Sequence, residues 1–188
     1  MRRVLASFAL AGVLVGSAFA QTAKVDQAHA NFAQSCGVTS ERSALPDLSL
    51  KEANGAWQKT TASALRDCKD CSRWANAWRV ANGTVVEVAD DAESGDWTRY
   101  ITYCFDVHGN ATRARSEFRS AHGWAAVQEY TRKGSRFVLA TTLFFDLNAG
   151  RETSEPPDWA NYRELYGSVP PYKKLEQIPF AGFLGRES

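Results

Sequence analysis

Trp97-Thr98-Arg99-Tyr100-Ile101-Thr102-Tyr103-Cys104-Phe105-Asp106 carries the alternation that decides the fold. Trp97, Arg99, Ile101, Tyr103 and Phe105 fall on one side; Thr98, Tyr100, Thr102 and Cys104 fall on the other. β-Branched and aromatic residues repeating with period two specify a strand. Val107-His108-Gly109-Asn110 follows, and because Gly and Asn tolerate positive φ the chain is expected to reverse there. The return limb, 111–121, sets Arg113, Arg115, Glu117 and Arg119 on one face and Thr112, Ala114, Ser116, Phe118 and Ser120 on the other. One polar and one modestly apolar face suit an antiparallel sheet rather than a buried parallel one. His122-Gly123 marks either a turn or a bulge. Trp124 to Thr131 is a further strand, Arg132-Lys133-Gly134-Ser135 a turn, and Arg136 to Asp146 the longest apolar strand. The run from Phe137 to Phe145 predicts a central position, because both of its faces need cover.

Working outward, Asn82-Gly83 between Trp74–Ala81 and Thr84–Ala89 is the preferred two-residue hairpin signal. Ser49-Leu50-Lys51-Glu52 reads as a capping box, and Leu50, Ala53, Trp57, Thr61, Ala64, Leu65 and Cys68 then recur at helical spacing. This predicts a helix at about 50–70 lying on the sheet, weakened by Gly55. A shorter helix is expected over Asp26–Cys36. Downstream, Glu155-Pro156-Pro157 ends the sheet, 158–167 suggests a short helix, and Tyr172–Gln177 a last turn before Ile178-Pro179-Phe180. The expected fold is therefore one α+β domain. It is an antiparallel β-meander of about six strands with one N-terminal helix packed on it and an irregular aromatic C-terminal strap. Thr102–Gly109 and Thr142–Gly150 echo each other, each ending a strand in Phe-Asp before a Gly, which two similar hairpin ends explain.

Met1-Arg2-Arg3, an apolar run from Val4 to Gly16 and Ala18-Phe19-Ala20 before Gln21 form a secretory signal pattern, too short for a membrane span. The expectation is a signal peptide at 1–20, a single globular domain at 21–188, and a periplasmic or secreted location with no membrane attachment after cleavage. A formal net charge of +1 gives no electrostatic case for nucleic acid. An aromatic share of 12%, with six Trp, argues for a packed core.

Cys36, Cys68, Cys71 and Cys104 form an even set, which in an exported chain implies two disulfides. If Cys68 and Cys71 share a helix face, Cys36 and Cys104 each reach one of them, since a regular helix strains a local Cys68–Cys71 bridge. The competing use is a redox pair, but Asp67 and Asp70 beside these thiols disfavour thiolate. Ser72 where haem attachment needs His, and a Cys-x-x-Cys spacing that occurs once, speak against haem and zinc.

His29, His108 and His122 are the only imidazoles, and none sits in a hydrolase or metalloprotease motif. The acidic stretch Asp90–Asp96 lacks the ligand spacing of a calcium loop, with Ala92 at its third position. Arg113, Arg115 and Arg119, with Arg99 alongside and Trp124 and Tyr130 flanking, form a basic stripe. A solvated sheet face is the plainer reading, and an anionic or glycan platform is the functional one. No cofactor or metal is expected. The chain reads as a non-enzymatic binding or inhibitor-like module that uses a sheet face to bind a protein or an anionic or glycan ligand. The alternative is an exported enzyme, either a thiol–disulfide oxidoreductase through Cys68 and Cys71 or a hydrolase.

Overall fold

The computed structural model describes residues 16–39, 46–66, 68, 71–158, 160 and 170–184. The expected signal peptide and the short helix expected at 158–167 fall largely outside the described residues. Helix α1 (Gly16–Ser35) precedes β1 (Leu48–Ala53), β2 (Ala56–Thr60) and a short helix α2 (Ala62–Arg66). Seven more strands follow: β3 (Arg73–Val80), β4 (Gly83–Asp91), β5 (Trp97–Asp106), β6 (Ala111–Ser120), β7 (Trp124–Lys133), β8 (Arg136–Asp146) and β9 (Arg151–Thr153). All nine join one antiparallel sheet in the order β2-β1-β3-β4-β5-β6-β7-β8-β9.

The meander from β3 to β8 follows the sequence reading, with Trp78↔Val85 and Ile101↔Ser116 among the register pairs. Asp106 begins its turn by accepting the N–H groups of His108 and Asn110 at 2.9 and 2.8 Å, and Asp146 does the same for Asn148 and Ala149. The two Phe-Asp ends thus share one physical device. Gly123 lies in the β6–β7 turn at φ +87, and a Cβ there would collide with the Asn148 side chain.

Three expectations about the sheet and its cover are corrected. The sheet has nine strands, not about six. Most of the stretch expected to be a helix at 50–70 is the β1–β2 hairpin, and of that helix only α2 exists. Asn54 and Gly55 both take positive φ, 54° and 74°, which makes the two-residue turn that a helix cannot accommodate. The residues read as a capping box bond across strands instead: Ser49 Oγ donates to Asn76 Oδ1 at 2.8 Å, and Arg73 Nη1 to Glu52 at 2.6 Å. The remaining extra strand is β9. It pairs with β8 at Phe144–Asp146 and leaves the rest of β8 at an edge, so β8 is not central.

Both faces of the sheet are covered. One carries α1, whose Val25 packs with Ala125, Val127 and Phe145, and whose Ala33 joins Trp78 and Val85. The other carries the larger core of Leu50, Val86, Val88, Ile101, Tyr103, Phe105 and Tyr130, closed by Tyr172, Leu175, Ile178 and Phe180 of the C-terminal strap. Trp57 meets Phe180 at a ring-centroid distance of 4.5 Å. Among the described residues no helix is long and apolar enough to cross a membrane.

The disulfides are Cys36–Cys104 and Cys68–Cys71, not the expected crossed pairs. The local bridge is accommodated because α2 ends at Arg66 and Cys68 and Cys71 stand on non-helical backbone, with Cα atoms 5.6 Å apart. Cys36, just past the end of α1, reaches Cys104 on the helix-covered face of β5. Replacing Cys36 and Cys104 by Ala releases a loop of 68 positions and is expected to cost about 4 kcal/mol in urea unfolding. The Cys68/Cys71 double Ala variant, which opens a loop of only 3 positions, should lose about 3 kcal/mol less.

Candidate functional site

Alternation along β6 points Arg113, Arg115, Glu117 and Arg119 toward α1, and the same cross-strand rows bring Glu87, Tyr100 and Thr102 to that face. On α1, Val25, Asp26, His29, Phe32 and Ala33 recur at three- and four-residue spacing and so share the side that meets the sheet. Where the two surfaces meet, six charged groups form a connected cluster.

Glu117 is its centre, with a side chain 1% exposed. Arg119 Nε donates to its Oε1 at 2.5 Å, and Arg115 Nη2 lies 3.0 Å from its Oε2. His29 Nδ1 stands 3.6 Å from Glu117, beyond hydrogen-bond reach but within charge–charge range. His29 Nε2 is 2.8 Å from Glu87 of β4. Arg119 Nη2 donates to Asp26 of α1 at 2.5 Å, and its guanidinium lies over the Tyr100 ring at 5.7 Å.

Burial alone would pull the His29 imidazole down, but Glu117 and Glu87 outweigh it and hold the pKa up at about 9. Burial pushes the Glu117 carboxyl up, and His29, Arg115 and Arg119 outweigh that, so it ionises below its usual range. Tyr100 is pushed up to about 12, chiefly by burial. The cluster sets three acidic side chains (Asp26, Glu87, Glu117) against three basic ones (His29, Arg115, Arg119). A doubly protonated imidazole has no lone pair with which to take a proton, so His29 is not poised as a general base.

The chain matches no family model, no curated protein and no solved structure.

The basic stripe is present but lies beneath the helix. Arg115 is buried at 1% exposure and Arg119 is committed to Glu117 and Asp26. Arg113, 36% exposed, donates to Ser35 Oγ at 2.6 Å, covers the Phe32 ring at 4.8 Å and lies 3.5 Å from Glu129. Arg99, expected to extend the stripe, is on the other face, where it bonds Asp90 at 2.6 Å. Asp90 also accepts from Arg73, so part of the acidic stretch is a structural ion pair. Trp124 and Tyr130, expected as flanking aromatics, pack into the strap-side clusters. His108 decorates the Asp106 turn. His122 lines a cavity of about 310 Å³ with Trp124, Asp146, Asn148, Thr153 and Glu155. There Asp146 caps its turn and the Thr153 hydroxyl donates to the Glu155 carbonyl at 2.9 Å, so this hydroxyl and carboxylate are already engaged.

Sequence reasoning missed His29 and Glu87 because their partners are remote in the chain. The available signal was Asp26 and His29 at i, i+3 on a helix with an apolar stripe, opposite a strand that alternates Arg and Glu.

The protonation states fix a pH dependence. Because the folded pKa of His29 is raised, its stabilising contribution is fully present below 6.5, its ordinary value, and is lost as pH rises through about 9. Glu117, with a lowered pKa, contributes above 4.5 and loses that contribution as pH falls. An NMR titration of the His29 ring should give a midpoint near 9, with thermal stability declining over the same alkaline interval. His29→Gln should remove that alkaline decline.

Proposed function

We propose that the chain is an exported, periplasmic or secreted, non-enzymatic binding or inhibitor-like module that presents part of a sheet face to a protein or an anionic or glycan ligand. The observation that carries this reading is the charge balance beneath α1. A general acid–base residue works best with a pKa near the operating pH. Here each buried charge in the cluster faces an opposite one within the fold, and the imidazole is held protonated. The arrangement supports a role in fixing a helix on a sheet, which pre-organises the surface around it.

The surface in question is the rim of the helix-side face beside the C-terminal end of α1, where Arg113 bonds Ser35. Arg113, Glu129, Thr131, Val138 and Thr141 are half-buried or exposed there, on three neighbouring strands. A guanidinium beside a carboxylate and two hydroxyls offers directional contacts to either a peptide or a glycan.

The Cys68–Cys71 bridge favours a second reading, thiol–disulfide exchange, because the closed pair is half-buried rather than sealed. Against it, the pair follows the C-terminal end of α2 and has Asp67 and Asp70 as sequence neighbours, all of which disfavour a reactive thiolate.

The binding reading is tested with bead-bound protein in periplasmic and culture-medium fractions. A partner identified by mass spectrometry should be retained by the native chain and by Lys51→Ser, and lost by Arg113→Ser and Val138→Asp. Retention by all four removes this corner from consideration. Redox equilibration separates the second reading: the Cys68–Cys71 bridge should stay closed to about −300 mV, as structural bridges do. A midpoint above roughly −200 mV, with turnover of a disulfide substrate, would put exchange chemistry ahead.

A further inference from the structure

β8 is paired along its whole length with β7 on one side, but β9 pairs with the other side only at Phe144, Phe145 and Asp146. From Arg136 to Leu143 the outer side has no strand partner among the described residues. Alternate N–H and C=O groups of that stretch face outward, which is a template for another strand.

Proteins blunt such edges with charge, proline, shortness or a bulge. The run from Phe137 to Phe145 has no charged residue and no proline. One bulge is present at Ala140, where Glu129 pairs with Thr141 and Tyr130 with Leu139. Leu139 is 49% exposed, and Ala140 and Thr141 are exposed beside it. The opposite edge differs: β2 is 5 residues long and carries exposed Gln58 and Lys59. The sheet therefore has one short edge that carries a charge and one long uncharged edge interrupted by a single bulge.

We propose that the open edge of β8 pairs antiparallel, about a two-fold axis, with β8 of a second copy of this chain. Two observations select a second copy. The uncharged run brings no like charges opposite one another when it pairs with itself. The two ends of the edge also carry opposite charges: Lys133 and Arg136 precede the run, and Glu152 and Glu155 stand beyond it. All four are exposed, and none has an ion-pair partner among the described residues. A partner strand antiparallel to β8 runs in the direction of β9 and continues its line. The partner's Arg136 then arrives next to Thr153, beside Glu152 and Glu155, and the two-fold repeats the contact at the other end. Such pairing is isologous and closed, so it stops at a dimer.

Sedimentation of the purified chain at high micromolar concentration tests this. The native protein should be a dimer that weakens with added salt, and Leu139→Lys and Thr141→Lys should each loosen it by roughly tenfold or more. Both side chains are exposed, so circular dichroism should stay native; two variants guard against one that misfolds. Val107→Lys, at a residue 61% exposed on a distant turn, should leave the dimer intact. Arg136→Glu should weaken it, and Arg136→Glu combined with Glu152→Lys should restore it. A monomeric native chain overturns the proposal. So does a dimer indifferent to both Lys variants, or one equally disrupted by Val107→Lys. A monomeric chain that pairs through this edge with an extended segment of another protein overturns the second copy as the occupant.

Discussion

A carboxylate buried near the middle of a sheet face sets the terms for the rest of the molecule. Glu117 is almost wholly removed from water, and an isolated charge there would cost several kcal/mol. Its own strand supplies Arg115 and Arg119, but these bring two positive charges for one negative. Balance is reached only when α1 delivers Asp26 and β4 delivers Glu87, with His29 between the carboxylates. The helix is thus held in one position along the sheet by charge matching, since a shift of one turn would leave buried charges unpaired. Ion networks of this kind add orientation more than net stability.

Apolar packing and covalent linkage act around that centre. Among the described side chains of α1 the large apolar ones that are buried are Val25 and Phe32, while the strap face holds the larger core. The Cys36–Cys104 bond anchors the end of α1 to β5 on the face that the alternation of β5 assigns to Cys104. The strap works differently: Lys173 and Gly109 carbonyls accept N–H groups of Ala111 and Leu175, so the tail is stitched to the β5–β6 turn between Tyr172 and Phe180, which both pack on the core. A sheet covered this way on both sides stays open at its edges.

How far the sequence could be read follows from the range of each interaction. Period-two alternation and Asn82-Gly83 are local, and they place β3 to β8 and the division of each strand between two faces. The stretch at 50–70 misled because Leu50, Ala53, Trp57 and Thr61 fit a helical stripe as well as a hairpin. The deciding residues were Asn54-Gly55, both at positive φ in the loop itself; at Asn82-Gly83 the hairpin is present, but its loop residues are Ala81 and Asn82, and Gly83 opens β4 opposite Val80. Apolar run length suggested that β8 is central, but strand order depends on what pairs beside it. The grouping of Arg113, Arg115 and Arg119 on one face was legible; what covers that face was not, because Asp26 and His29 lie far away in the chain. The disulfide pairing was misread for the same reason as the helix, since crossed bonds presumed helical backbone through Cys68 and Cys71.

A double-mutant cycle on His29→Gln and Glu117→Gln, followed by urea unfolding, measures the central claim most directly. If the buried carboxylate holds the helix through the protonated imidazole, the two substitutions will be non-additive by about 1 kcal/mol or more at neutral pH. That coupling will shrink as pH passes about 9. Additivity within about 0.3 kcal/mol at neutral pH would contradict it and leave α1 held by its disulfide and apolar contacts alone.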